Sequence, residues 1–165
     1  MLKSMLNRLT DSHLNTHYWK DGDLNLSKQH IMAWVNSNMY EIFGYKVSSI
    51  FCGDFNCSPK GGAYELITKK HLRPDNNPDF TLEGASFSHE LDLKNSCGIV
   101  EYTNYAGNFH EQLDYIFIDS TMDMICVIPM PEHSEVEQHI PLPNVVFPSD
   151  HLAQICDLKW KSLYE

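Results

Sequence analysis

The stretch 47–59, VSSIFCGDFNCSP, constrains what this chain can fold into more than any other. Its first half is rich in residues that favour a buried strand, and Gly53 interrupts the apolar run. Asp54 and Asn56 follow at the C-terminal end of that strand, where α/β sheets commonly place their chemistry. The stretch therefore predicts a strand that presents a carboxylate and an amide at one edge of a sheet.

Two later segments carry acidic side chains in a similar setting. Asp114 lies inside the strand-like run 113–118, LDYIFI, where an acid among apolar residues needs a partner. Asp150 and His151 directly precede a further apolar run, 152–158. Carboxylate, amide and imidazole groups of this kind suit hard metal ions and phosphate chemistry.

The remaining pattern predicts a layered α/β sandwich. Apolar residues recur at helical spacing in 27–43, and a shorter helix is expected at 63–70. Further strands are expected at 124–128 and 152–160. At 165 residues, the chain is expected to form one domain.

Polar segments between these elements are expected to lie at the surface. The proline-bearing segments 73–84 and 129–148 are expected to be surface loops. The polar segment 103–107 is expected to be a turn that leads into the strand-like run 113–118. The chemistry-bearing residues would then stand on strand ends and be separated by loops.

Charge and cysteine content narrow the class of protein. The net charge of -10 argues against general electrostatic binding of a nucleic-acid backbone and fits clustered carboxylates. The five cysteines are an odd number and lie mostly in apolar runs, which predicts buried free thiols in a reducing compartment. No apolar stretch approaches bilayer length, so no membrane association is expected.

Three short motifs resemble the endonuclease/exonuclease/phosphatase superfamily when taken in their order along the chain. They are GDFN at 53–56, LDYIF at 113–117 and SDH at 149–151. The motif TNY at 103–105, with Phe109 five residues before Asp114, resembles the deadenylase-like branch of that superfamily. The runs 93–119 and 148–160 are most similar to the 2'-5' phosphodiesterases of the branch.

The resemblance implies the C-terminal part of a four-layer α/β sandwich, with 1–165 forming a single partial domain. The N-terminal half, which carries the metal-binding Glu of the superfamily, is expected to be absent from this sequence. Half a sandwich would expose a large apolar face. We therefore expect a partner chain or the absent half to cover that face.

The resemblance also implies roles for individual residues. Asp54 would orient or deprotonate the attacking water, and Asn56 would hold a phosphate oxygen as a neutral donor. His151 would contact the phosphate, and Asp150 would coordinate Mg²⁺, with Mn²⁺ as a possible substitute. Asp114 would fix a histidine by accepting its N–H.

Two further positions complete this expected site. The histidine held by Asp114 is expected to be His13 or His17, and His13 is favoured because Leu14 follows it. Phe109 would stack on an adenine-type base, beside Asn56. The proline that follows this histidine in the superfamily is absent here, so the resemblance does not carry over that part of the base pocket.

These roles imply a Mg²⁺-dependent phosphodiesterase or 3'-exoribonuclease. Its substrates would be RNA or oligoadenylate with 2'-5' or 3'-5' adenylate linkages, polyA tails included, in the mitochondrial matrix or the cytoplasm. The alternative is a catalytically inactive fragment that acts only as a binding or interaction half-domain. A sugar-phosphate or lipid phosphatase and an abasic-site endonuclease share GDFN- and SDH-like motifs, but TNY and Phe109 argue against both.

Overall fold

The computed structural model describes residues 48–72 and 87–161. Nine strands and two short helices lie within these ranges. The strands are β1 (Ile50–Asp54), β2 (His71–Leu72), β3 (Phe87–Ser88), β4 (Leu93–Asn95), β5 (Asn104–Ala106), β6 (Phe109–Glu111), β7 (Asp114–Asp119), β8 (Met122–Ile128) and β9 (Ile155–Trp160). The helices are α1 (Gly62–Lys69) and α2 (His133–Glu137).

A three-stranded antiparallel sheet in the order β1-β7-β4 positions the predicted acids. Strand β7 lies in the middle, and Tyr115, Phe117 and Ile118 on it are almost completely buried. The expectation that β1 is buried is wrong, because four of its five residues are exposed. Within the described residues β1 is an edge strand, so apolar composition identified the strand but not its neighbours.

The main core lies between this sheet and α1. Phe55 packs edge-on against Phe117, with ring centroids 5.2 Å apart, and Leu66 and Ile67 of α1 are buried. Lys70 caps the C-terminal end of the helix: its backbone takes φ 67°, and its N–H donates to the carbonyl of Leu66. The sequence prediction of a helix over 63–70 is confirmed to within one residue at each end.

The segment 103–107 is not a simple turn. Strands β5 and β6 form a hairpin in which Ala106 pairs with Phe109. Gly107 adopts φ 62°, which a glycine takes without strain, and this permits a two-residue connection. The pair Gly107-Asn108 between strand-like residues is itself a hairpin signal that the polar composition masked.

The connection 129–148 contains α2 and contributes to a second, smaller core. Val136 of α2 is completely buried and clusters with Tyr102, Leu142 and Leu152. Two of its members are sequence neighbours of the predicted site: Tyr102 directly precedes Thr103, and Leu152 directly follows His151. It therefore braces both segments that carry the predicted site.

The five cysteines are free, as expected, but the expectation that they are buried is wrong. Cys52 and Cys126 are exposed, because they lie on sparsely covered strands, and the other three are half-buried. The segments 27–43 and 73–84 lie outside the described residues. No helix in the described part of the chain is long and apolar enough to cross a membrane.

Candidate active site

Three segments meet at one end of the central sheet. The segment 149–152 runs beside β5, since the backbone N–H of Tyr105 donates to the carbonyl of Asp150 over 2.8 Å. The N–H of Leu152 donates to the carbonyl of Thr103 over 2.7 Å. These bonds place His151 against the first residue of β7, Asp114. The GDFN, LDYIF and SDH motifs thus come together in space.

Two carboxylates face each other across strands β1 and β7. Asp54 is the register partner of Asp114, and the N–H of Phe55 donates to the carbonyl of Leu113 over 2.9 Å. Like charges directly opposite one another are unfavourable unless a cation or a proton lies near them. This end of the sheet therefore concentrates negative charge and favours a positively charged group beside it.

Asp54 also closes a local turn. One carboxylate oxygen accepts the N–H of Asn56 over 2.8 Å, and the other accepts the amide Nδ2 of Asn56 over 3.4 Å. Asn56 sits in the left-handed region at φ 49°, a conformation that Asn tolerates. Both side chains are solvent-accessible, so a substrate can compete for the Asn56 amide.

The histidine held by Asp114 is His151. Its Nδ1 donates to Asp114 Oδ2 over 2.8 Å, and both side chains are partly exposed. The expected partners of Asp114, His13 and His17, both lie outside the described residues, so that expectation stays a prediction. The contact with His151 forms because the segment 149–152 pairs with β5, and a sequence pattern does not show this pairing.

The charge balance around His151 favours its protonated form. Partial burial lowers the pKa of His151, but the hydrogen bond to Asp114 and its charge, together with the charges of Asp54 and Asp150, outweigh that effect. The net pKa of the imidazole is raised above its ordinary value. A protonated ring at this place can donate to an anionic group such as a phosphate oxygen.

Two residues of the TNY motif contact the site, although the sequence assigned them no role. Thr103 is completely buried, and its hydroxyl donates to Asp114 Oδ2 over 2.7 Å. The amide of Asn104 lies 3.4 Å from Asp150 Oδ2 and is placed to donate to it. The sequence identifies TNY as a family signature, but it does not show that Thr103 contacts Asp114 and that Asn104 approaches Asp150.

A cavity of about 360 Å³ opens beside the acid–histidine pair. Gln154 lines it, and neither polar atom of its side chain has a hydrogen-bond partner among the described residues. Phe109 is 50% exposed and shares a hairpin face with Asn104. The residues that line the cavity are Cys52, Gly53, Asp114, Tyr115, Ile116, His151, Leu152, Ala153 and Gln154.

The described residues do not by themselves form a metal centre. No group of three or more His, Cys, Asp or Glu side chains in 48–72 and 87–161 is arranged to hold an ion. Within this part of the chain, the carboxylate of Asp150, the expected ligand, receives only the 3.4 Å contact from the Asn104 amide. A divalent cation would require further ligands beyond those that this part of the chain provides.

The Asp114–His151 pair, with Asp54 opposite on β1, is an arrangement that can bind and polarise a phosphate group. The model of the Endonuclease/Exonuclease/phosphatase family matches residues 12–151, and the chain belongs to that family. It is 40% identical to the mouse 2',5'-phosphodiesterase 12 over 96% of its own length and 28% of the relative. It is 34% identical to the CCR4-Not complex 3'-5'-exoribonuclease subunit Ccr4 of Aspergillus oryzae, over 67% of this chain and 16% of that protein.

The fold is shared with a solved relative. The crystal structure of ANGEL2, a 2',3'-cyclic phosphatase, superposes with a TM-score of 0.66 at 18% identity, over 83% of this chain and 52% of that one. The chain therefore has the α/β fold of the family, as its motifs predicted. It spans about a quarter of the length of the curated 2',5'-phosphodiesterases that it matches.

Proposed function

We propose that this chain forms the acid–histidine part of a phosphodiesterase that hydrolyses 2'-5' or 3'-5' adenylate linkages in RNA or oligoadenylate. The observation that carries the proposal is the Asp114–His151 pair, which lies opposite Asp54 and beside an accessible cavity. Relatives named as a 2',5'-phosphodiesterase and as a 3'-5'-exoribonuclease support this class of substrate.

The proposed chemistry divides between the two sides of the sheet end. Asp114 fixes the His151 ring through Nδ1, so Nε2 is the nitrogen that contacts the scissile phosphate or the leaving oxygen. Asp54, whose carboxylate is exposed, accepts a proton from the attacking water. Asn56 exchanges its contact with Asp54 for one with a phosphate oxygen.

Mg²⁺, or Mn²⁺ in its place, belongs to the proposal as the cofactor, with Asp150 as one ligand. When bound, the cation would neutralise charge that develops on the phosphate. We expect chelation to abolish turnover and added Mg²⁺ to restore it. Turnover that persists in a chelator would remove the cation from the proposal and leave the acid–histidine chemistry in place.

Phe109 is the proposed base-binding residue. Half of its surface is exposed, and it lies on the hairpin face that also carries Asn104, which approaches Asp150. Stacking of an adenine on an aromatic ring contributes about 1–3 kcal/mol per base. We therefore expect Phe109→Ala to raise KM for an adenylate more than it lowers kcat.

The five free cysteines support a reducing compartment, for which we propose the mitochondrial matrix or the cytoplasm.

A second candidate function is that of an interaction half-domain without turnover. The two-stranded sheet β8–β9 carries several large apolar side chains that are exposed, with Trp160 at 66%. Such a surface is typical of a face that another chain covers. The other exposed apolar residues of this sheet are Met124, Ile125, Ile128 and Ile155.

One assay separates the two candidates. The purified chain is incubated with Mg²⁺ and either a 2'-5' or a 3'-5' adenylate trimer, beside Asp54→Ala. Asp123→Ala is the matched control, because Asp123 is an exposed strand carboxylate whose ion pair with Lys161 is 3.4 Å long and contributes little. Cleavage that is lost only in Asp54→Ala supports the enzyme. A folded chain without cleavage favours the interaction half-domain.

A further inference from the structure

We infer that Thr103 is the positioning residue of this site: its buried hydroxyl fixes the Asp114 carboxylate, which in turn fixes the proton of the His151 ring on Nδ1. The catalytic part of this inference rests on the proposed function, whereas the position of the proton does not. Nothing in the resemblance or in the relatives' names assigns a role to this threonine.

The Thr103 hydroxyl uses all of its hydrogen-bonding capacity. Oγ1 accepts the backbone N–H groups of Leu113 and Asp114, each over 2.9 Å. A hydroxyl has one proton and two acceptor positions, so its proton can only point to the remaining partner, Asp114 Oδ2, at 2.7 Å. The direction of this hydrogen bond is therefore determined, which is unusual for a rotatable group.

The main chain of Thr103 is fixed as well. Its N–H donates to the carbonyl of Glu111 over 3.0 Å, and its carbonyl accepts the N–H of Leu152 over 2.7 Å. Thr103 thus joins β6 to the residue that directly follows His151. Both ends of the acid–histidine pair are positioned through this single buried residue, whose exposed fraction is 0%.

The consequence concerns the tautomer of His151. Asp114 Oδ2 receives the Thr103 hydroxyl and faces His151 Nδ1 at 2.8 Å. A carboxylate oxygen only accepts, so a neutral His151 carries its proton on Nδ1 and presents Nε2 as the free nitrogen. A purely structural threonine, needed only to satisfy the two N–H groups, would not control this choice.

The test is a ¹⁵N NMR measurement of the His151 ring in the full chain, at a pH where the ring is neutral. The His151 signals are assigned by their loss in His151→Gln. Wild type, Thr103→Ser and Thr103→Val are compared. The matched control is Thr121→Val, because the Thr121 hydroxyl also bonds to an aspartate of β7, Asp119, at the far end of the strand.

We expect the Nδ1–H tautomer in wild type, in Thr103→Ser and in Thr121→Val, and a shift toward Nε2–H in Thr103→Val. Where turnover is measurable, kcat should fall about 10- to 100-fold in Thr103→Val with KM little changed, and Thr103→Ser should restore it. An inactive chain that shows the expected tautomers would refute the proposed function and leave the positioning role standing.

Three results would overturn the inference. One is an Nε2–H ring in wild type, which decides the question even if Thr103→Val fails to fold. Another is a folded Thr103→Val chain that keeps the Nδ1–H tautomer. The third is a folded Thr103→Ser chain that loses that tautomer although it retains the hydroxyl.

Discussion

The two ends of β7 carry the same residue type in two different settings. Asp119, at the C-terminal end, is 2% exposed and accepts the backbone N–H groups of Ser49 and Thr121, each over 2.9 Å. The Thr121 hydroxyl bonds to it as well. Each of these three contacts is made by a hydroxyl or a main-chain group, neither of which titrates near neutral pH.

Asp114, at the other end, also accepts a threonine hydroxyl, but the rest of its surroundings differ. Its side chain is 23% exposed, it contacts a histidine, and a second carboxylate, Asp54, lies opposite. A buried acid with backbone donors ties loops to a sheet, whereas a partly exposed acid beside an imidazole controls a proton. Surroundings, not residue type, are therefore the reason that Asp114 and not Asp119 is the aspartate proposed to take part in chemistry.

The largest effect should separate these two acids directly. We expect Asp114→Asn to lower turnover of an adenylate trimer by about 10³-fold or more, because the amide no longer holds the His151 tautomer. Asp119→Asn should instead reduce the free energy of unfolding by about 1–3 kcal/mol, because its amide group faces backbone donors. Initial rates and urea unfolding measure both. Equal loss of turnover rate in the two variants would contradict the different roles of Asp114 and Asp119.

Thiol reactivity sharpens the comparison on the Asp54 side. Burial raises the pKa of Cys57 to about 11; a backbone hydrogen bond at Tyr64 opposes this, and the charge of Asp54 adds to it. We expect a maleimide at pH 8 to label Cys57 about 100-fold more slowly than the exposed Cys126. Asp54→Asn should speed labelling of Cys57 slightly, and Asp123→Asn should leave it unchanged. Mass spectrometry of quenched samples follows each site.

Backbone strain next to Asp54 offers a milder perturbation of the sheet end that carries Asp54 and Asp114. Gly53 has φ 140° and Gly98 has φ 74°, and an added Cβ meets no atom within 4 Å at either position. Alanine at each should therefore reduce the free energy of unfolding by a similar amount, about 1–3 kcal/mol, through strain alone. Only Gly53→Ala, which precedes Asp54, should also lower kcat. A comparable loss of kcat in Gly98→Ala would contradict a local effect.

The smallest expected effect is the dependence of stability on pH. The pKa of His151 is raised in the folded chain above its ordinary value of 6.5. The stabilising contribution is therefore fully present below about pH 6 and is lost as the pH rises through the folded pKa. The difference in unfolding free energy between wild type and His151→Gln should shrink from pH 5 toward pH 9. The size of this change follows from the difference between the folded and unfolded pKa of His151, which an NMR titration measures. A difference that is flat or grows with pH would contradict the raised pKa.

The sequence predicted which residues lie in the candidate site better than it predicted which of them contact one another. The motifs of β1, β7 and 149–151 meet as expected, and α1 forms where helical spacing placed it. The contact of Asp114 with His151, 37 positions away, was not predicted, because it depends on pairing with β5, and the polar composition of 103–107 had predicted a turn there. Long-range strand pairing leaves no local signal.

Thr103 and β1 show two other limits of the sequence. The sequence does not distinguish a buried threonine that holds a carboxylate in place from a threonine at the surface, whereas the structure does. The exposure of β1 depends on its neighbours in the sheet, whereas strand propensity reports only that a pleated surface forms. The proposed metal ligand Asp150 and the base-binding Phe109 stay predictions.

The most direct test is whether a phosphodiester binds at the Asp114 end of β7, which can be measured without turnover. The full chain, labelled with ¹⁵N, is titrated with a phosphorothioate-linked adenylate dinucleotide, and the ring signals of His151 are followed beside those of His133, whose partners are Tyr102 and Glu137. We predict saturable shifts at His151 that are absent at His133 and abolished by Asp114→Asn but not by Asp119→Asn. Shifts confined to β8 and β9, or none at His151 in a folded sample, would contradict a phosphate site at Asp54, Asp114 and His151.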